Sequence, residues 1–141
     1  MKIKSAFIYD GDRSSQIIGE NQIMPPSRLQ YTYELLDAYE VFDDRQTQII
    51  SPRLATDIEV AGFHSLDYLD VVKKISEGVS NVDGRPYNIF PEGDNPPYLG
   101  MYKAALLSTG GSLVAGERLI NDDLSVVFNP AGGLHHAMPN Y

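Results

Sequence analysis

Residues 124–137 read Leu-Ser-Val-Val-Phe-Asn-Pro-Ala-Gly-Gly-Leu-His-His-Ala, and this stretch carries the strongest structural signal in the chain. Its first five residues are rich in β-branched side chains, which predicts a strand over Leu124–Phe128. The strand should end at Asn129-Pro130, and the two glycines that follow allow a sharp turn and close approach of the backbone. Ligands in open α/β sheets bind beyond the carboxyl ends of the strands, so we expect the two histidines to lie at a functional edge.

Upstream of this stretch, predicted strands and helices alternate. Short apolar runs predict two more strands, at Ser5–Asp10 and at Gln48–Ser51. Apolar spacing and capping residues predict four helices: from Ser27 to about Asp43-Asp44, from the N-cap Thr56 (with Glu59 completing a capping box) to about His64, from Ser65 to Gly78, and from about Gly100 to Ile120. The polar stretches 11–26 and 79–99 are expected to be loops. This alternation predicts one α/β domain over residues 1–141, a three-layer α-β-α arrangement around a parallel sheet.

The middle of the last predicted helix is unusually small, because it reads Ser108-Thr109-Gly110-Gly111-Ser112. Close packing against a sheet would explain such a run. A phosphate-binding loop would also be rich in glycine, but its Gly-x-x-x-x-Gly-Lys pattern is absent from the sequence. We therefore interpret the small residues as a packing surface.

Composition excludes several classes of function. The formal net charge is −8 and no basic stripe is visible, which argues against nucleic acid or an anionic membrane as a partner. The chain has no cysteine, so disulfides, cysteine-ligated zinc and thiol catalysis are excluded. No stretch approaches the roughly 20 apolar residues that a membrane span needs. The apolar run near the start is too short for a signal peptide, so a cytoplasmic protein is expected.

Four side chains are candidates for chemistry. His135 and His136 could act as a paired acid and base, since the imidazole side chain titrates near neutral pH, although spacing alone favours one facing solvent while the other packs. Asp94 could accept hydrogen bonds from a ligand at a pocket rim, or could form an Asx turn before the proline pair. Arg28 could hold a carboxylate or form a surface ion pair. Catalytic zinc usually takes three protein ligands, and the third histidine, His64, is distant, so we expect no zinc site within this chain alone.

The segment 129–137 closely resembles the tandem-histidine motif of histone deacetylases and bacterial acetoin-utilisation proteins. Other segments resemble landmarks of the same family in order and spacing: Arg28-Leu29 with Tyr33–Leu36, Ser51–Thr56, Phe63–Leu69, and Asp94-x-Pro96 followed by Gly100. The resemblance covers essentially the whole chain and implies the arginase/deacetylase fold. It also implies that this chain supplies strands 2, 1 and 3 of a larger parallel sheet.

The resemblance assigns roles to the candidate residues. His135 and His136 match the histidines that orient the zinc-bound water and serve as general base and then acid. Asp94 matches the rim aspartate that grips the backbone of the acetylated substrate, and Gly133 lies on the substrate side of the same motif. Arg28 matches an arginine that lines an inner channel below the metal.

The sequence also departs from the family pattern. Family members are well over twice this length, and their zinc ligands, an Asp-x-His pair and a further Asp, lie downstream of the tandem histidines. The carboxylates that orient those histidines and the tyrosine that polarises the acetyl carbonyl lie downstream as well. None has a counterpart here, so we expect the isolated chain to be an inactive, truncated module without a metal of its own. Met24-Pro25 stands where the family often has His-Pro, and His64 matches a position with a structural role.

The same resemblance implies that one edge of the sheet is open. The strand at Leu124–Phe128 would lack its neighbour, and unpaired apolar edges invite association. We therefore expect a homo-oligomer through this edge or through the adjacent helices, with a twofold dimer as the simplest closed form. Three alternatives remain: a half-enzyme completed by another chain, a non-catalytic module that binds an acetylated small molecule or peptide, and a different metal-dependent hydrolase with its site across a subunit interface.

Overall fold

The computed structural model describes residues 4–11, 27–43, 45–93, 95–121, 124–133 and 136–141. These residues form three strands and four helices of regular α-helical geometry, together with one short 3-10 turn at Arg85–Tyr87. In chain order the strands and helices are β1 (Ser5–Ile8), α1 (Ser27–Ala38), β2 (Thr47–Ile50), α2 (Asp57–Ala61), α3 (Leu66–Ser76), α4 (Met101–Asn121) and β3 (Val126–Phe128). All the predicted elements exist. β1 ends earlier than predicted and β3 begins later, whereas β2 keeps its length of four residues and begins one residue earlier.

The three strands form one parallel sheet in the order β2-β1-β3. Phe7 of β1 lies opposite Ile49 on one side and Phe128 on the other. β1 occupies the centre, and its residues from Ala6 to Ile8 are buried. The parallel α/β architecture and the strand order implied by the resemblance are confirmed.

Aromatic and aliphatic side chains connect the sheet to α1 and α4. The buried members of this cluster are Phe7, Tyr9, Leu29, Leu107 and Ala131. Tyr33 of α1 is stacked between Tyr9 and Phe42, with ring centroids 4.5 Å and 5.3 Å apart. The cluster therefore joins β1, both helices and the loop that follows β3.

Helix α1 ends earlier than predicted, at Ala38 instead of near Asp43. Glu40 adopts a left-handed conformation (φ 59°), and the amide of Val41 donates to the carbonyl of Leu36 over 3.1 Å. This is a Schellman ending, a motif that usually places glycine at the left-handed position. Because a glutamate stands there, no glycine marks the end of the helix, and the apolar spacing predicted a longer one.

Capping explains the ends of α2 and α3. Thr56 and Glu59 form the predicted capping box, and Ser65 accepts a hydrogen bond from the amide of Tyr68. Gly78 has a φ of 76° and ends α3 with the same type of turn that ends α1. These three predictions from the sequence are confirmed.

Polar side chains fasten α2 to its neighbours. The guanidinium of Arg53 contacts Glu59 at 2.7 Å and Glu117 of α4 at 2.5 Å. Hydrogen bonds from Arg53, and next from Thr56, lower the pKa of Glu59 to about 2. Because these groups are largely exposed, the pairs specify geometry more than they stabilise the fold.

The small residues of α4 do allow close packing, as predicted, but the contact is not with a strand. A β-carbon on Gly110 would lie 1.8 Å from the carbonyl oxygen of Arg53. The amide of Ala55 donates to the carbonyl of Leu106 over 2.9 Å in the same region. The helix therefore packs on the extended segment 53–55 that follows β2.

The stretch 79–99 is more ordered than a simple loop. Ile89 is buried against Val72 of α3 and Met101 of α4. Its amide donates to the carbonyl of Gly84 over 3.0 Å, which closes the turn around Arg85–Tyr87. One apolar residue among prolines and glycines gave too little periodicity to predict this anchor. In the described parts of the chain, no helix combines the length and hydrophobicity that crossing a membrane requires.

Candidate functional site

The loop at 129–133 lies at the carboxyl end of β3, where sequence analysis placed the functional edge. Its neighbour along the sheet is the segment that follows β1, because β1 and β3 pair in parallel. Ala131 is buried in the central cluster, whereas Gly132 and Gly133 are exposed. One side of the loop is thus fixed in the core while the glycines face outward.

Asn129 ties the loop to α4. Its Oδ1 accepts a hydrogen bond from the amide of Ala131 at 3.1 Å. Its Nδ2 donates to the Ser112 Oγ at 3.0 Å and to the carbonyl of Ser108 at 3.3 Å. The Ser108 hydroxyl in turn donates to the carbonyl of Ala131. Both backbone groups of Ala131 are therefore hydrogen-bonded.

Arg28 reaches the same loop from the first turn of α1. Its Nη1 donates to the carbonyl of Pro130 at 3.1 Å, across 102 residues of sequence. Its Nε is buried and has no hydrogen-bond partner among the described residues. The arginine thus lies beneath the motif loop instead of on an open surface, and its role in an inner channel stays a prediction.

The remaining candidate residues are placed only in part. His136 is exposed, and a β-carbon on Gly133 would meet no atom within 4 Å. His135 and Asp94 lie outside the described residues, so the structure does not show whether they meet. The catalytic role of the two histidines and the substrate-binding roles of Asp94 and Gly133 stay predictions.

His64 lies outside the loop at 129–133, but the amide of the next residue, Ser65, donates to the carbonyl of Pro139 over 2.9 Å. The His64 ring lies 5.0 Å from the ring of Phe63 and 5.0 Å from that of Tyr68. Its Nδ1 is buried without a hydrogen-bond partner in the part of the chain that the structure describes. The aromatic surroundings agree with the structural role that the resemblance gave to this histidine.

A cleft of about 500 Å³ opens at the carboxyl ends of β1 and β2. It is lined by Tyr9, Asp10, Gly11, Gln30, Tyr33, Glu34 and Ile49. Burial, and next the negative charge of Glu34, raise the pKa of Tyr9. This cleft was not predicted, although Asp10, a polar residue at the carboxyl end of an apolar run, was a signal for it.

The described residues do not supply a metal centre among themselves. Catalytic zinc usually takes three protein ligands from histidine, cysteine or carboxylate side chains. Within the ranges that the structure describes, no three such side chains converge on a common point.

The known proteins that match this chain belong to one family. The sequence model described as "Histone deacetylase domain" matches residues 22–141. Histone deacetylase 9 of Arabidopsis thaliana is 34% identical over 139 residues, which cover 96% of this chain and 32% of the relative. The acetoin utilization protein AcuC of Bacillus subtilis is 33% identical over 133 residues, which cover 94% of this chain and 34% of the relative.

Histone deacetylase 1 of Homo sapiens is 31% identical over 135 residues, which cover 95% of this chain and 28% of the relative. The chain thus spans about a third of the length of the curated relatives that it matches. The family match includes α1, with Arg28, and the whole loop that follows β3. The parallel sheet, the anchored loop beyond β3 and the matching sequence agree, and the chain belongs to the histone deacetylase family.

Proposed function

We propose that this chain forms the part of a deacetylase that carries the tandem histidines, and that a polypeptide of these 141 residues alone does not hydrolyse acetylated substrates. The observation that supports this most directly is the anchored loop at 129–133. Hydrogen bonds from Arg28 and Ser108 hold its backbone at the carboxyl edge of the sheet. That edge is where α/β folds present reacting groups.

The residues of this chain account for one part of the chemistry. Amide hydrolysis needs a base for the attacking water, an acid for the leaving amine and a group that polarises the carbonyl. His135 and His136 suit the two proton transfers, since imidazole titrates near neutral pH. Asp94 would accept hydrogen bonds from the substrate backbone. In the described residues, nothing gathers the ligands that would polarise the carbonyl through a metal ion.

Metal content and turnover together test this proposal. The purified 141-residue chain would be incubated with zinc, desalted, analysed for metal and assayed with an acetyl-lysine peptide. We expect zinc well below one equivalent and no hydrolysis above that of buffer, because without a bound metal ion no Lewis acid polarises the amide and no hydroxide forms at neutral pH. Stoichiometric zinc with hydrolysis that His135→Ala abolishes would overturn the proposal. Binding of the acetylated peptide by metal-free chain would overturn it too, in favour of a binding module.

We further propose that the chain associates through the open side of β3. Within the described residues, β3 pairs with β1 on one side and with no strand on the other. Val126 and Phe128 are 53% and 55% exposed on this short strand. An unpaired strand that exposes apolar side chains favours edge-to-edge pairing, and a twofold dimer closes it most simply.

Light scattering during gel filtration tests the association. We expect the chain to elute as a dimer and Val126→Lys to elute as a monomer, since a charge on an edge strand opposes pairing. Ile58→Lys is the matched control, because Ile58 is 86% exposed but lies on α2. A wild-type chain that stays monomeric at high concentration, or equal effects of both substitutions, would contradict the proposed interface.

A further inference from the structure

We propose that Ser108 and Asn129 are positioning residues, which fix residues 129–133, the segment that precedes the tandem histidines, to α4 and keep its conformation without any metal ion or substrate. The inference rests on the proposed function, since it assigns the task of aligning His135 and His136. It goes further by naming the side chains that perform it.

The hydrogen bonds around Ala131 support this assignment. Asn129 Oδ1 holds the amide of Ala131, and the Ser108 hydroxyl holds its carbonyl oxygen. The amide of Gly132 also donates to the carbonyl of Asn129 over 3.3 Å. The peptide planes on both sides of Ala131 are therefore fixed, and the backbone that leads to His135 begins from a defined direction.

The face of α4 that contacts Asn129 leaves room for its carboxamide group. A β-carbon on Gly111 would lie 3.0 Å from Nδ2, so a larger residue would push the carboxamide away. Ser112 accepts one of the two Nδ2 hydrogens at 3.0 Å. The small residues of α4 thus have two separate uses: Gly110 admits the backbone of Arg53, whereas Ser108, Gly111 and Ser112 surround Asn129.

Apolar packing and Arg28 leave the loop little freedom in other directions. Ala131 is 8% exposed and packs in the cluster that contains Phe7 and Leu29. Arg28 holds the carbonyl of the preceding Pro130. The core and α4 therefore hold residues 129–131 from two sides.

Imidazole NMR signals provide the test, because the chain has only three histidines. Chemical shifts and titration midpoints of all three would be measured for the metal-free chain, for Ser108→Ala and for Asn129→Ala. We expect both substitutions to move the midpoints of His135 and His136, broaden their signals and increase backbone motion over residues 130–136. His64 should change much less, since its ring packs against Phe63 and Tyr68, and the hydrogen bond from Ser65 to Pro139 lies beyond the two histidines.

Two further variants separate positioning from general damage to the fold. Ser108→Thr keeps the hydroxyl and should restore most of the wild-type signals, whereas Thr109→Ala alters the neighbouring exposed position and should change nothing. Unchanged signals of His135 and His136 in Ser108→Ala would overturn the inference, as would an equal shift of His64. If Asn129→Ala fails to fold, Ser108→Ala with its threonine rescue decides alone. No metal or substrate enters the measurement, so its outcome is distinguishable from failure of the proposed function.

Discussion

Replacing Gly110 by alanine is expected to lower the free energy of unfolding by about 3 kcal/mol, the upper end of the range for overpacked cores. The new methyl group would lie 1.8 Å from the carbonyl oxygen of Arg53 and 2.8 Å from the amide nitrogen of Ala55. Both atoms belong to the backbone, so a side-chain rotation cannot relieve the clash. Urea unfolding followed by circular dichroism measures the loss.

Gly116→Ala is the matched control, since Gly116 lies in the same helix and a β-carbon there would meet no atom within 4 Å. Alanine exceeds glycine in helix propensity by about 1 kcal/mol, so this substitution should stabilise the chain. The same gain in helix propensity applies at Gly110. The difference in free energy of unfolding between the two variants therefore isolates the contact with segment 53–55. Equal stability of both variants would show that α4 does not approach this segment so closely.

The packing role of these glycines could be predicted from the sequence, but their partner could not. A run of small residues in a helix indicates that something approaches closely, because no side chain fills the space. It does not say what approaches, and a strand was the natural candidate. The structure places the extended segment 53–55 against Gly110 and the side chain of Asn129 against Gly111.

The ends of the helices could also be predicted from the sequence only in part. The end of α3 was predictable because a glycine, Gly78, occupies the left-handed position. The end of α1 was not, because Glu40 occupies that position and Tyr39 or Val41 continues the apolar spacing. Phe42 instead packs on the ring of Tyr33, so a tertiary contact overrode the local helical pattern.

The site divides between residues with a distinctive pattern and residues without one. The tandem histidines and Arg28 were found because the sequence around them resembles a known family. Ser108 and Asn129 were missed as anchors, since serine and asparagine have many local uses in helices and turns. Only the fold brings them together, across 21 residues of sequence.

Leu29→Ala is expected to destabilise the chain by about 2–5 kcal/mol, the range for removing a buried leucine side chain. Leu29 is 1% exposed and packs with Phe7, Tyr9, Leu107 and Ala131. This cluster joins the central strand, the long helix and the loop that follows β3. The cavity left by alanine would sit where these elements meet, which limits how far they can collapse. Urea unfolding and thermal melting both measure the effect.

Leu35→Ala provides the comparison on the same helix, because Leu35 is 58% exposed and the change in helix propensity is identical. A surface substitution of this kind should alter stability by no more than about 0.5 kcal/mol. The cavity should also weaken the hydrogen bond from Arg28 to Pro130, since Arg28 immediately precedes Leu29. Backbone motion at residues 130–133 should then increase in Leu29→Ala but not in Leu35→Ala. Equal stability of the two variants would contradict a core that joins α1 to the loop carrying the histidines.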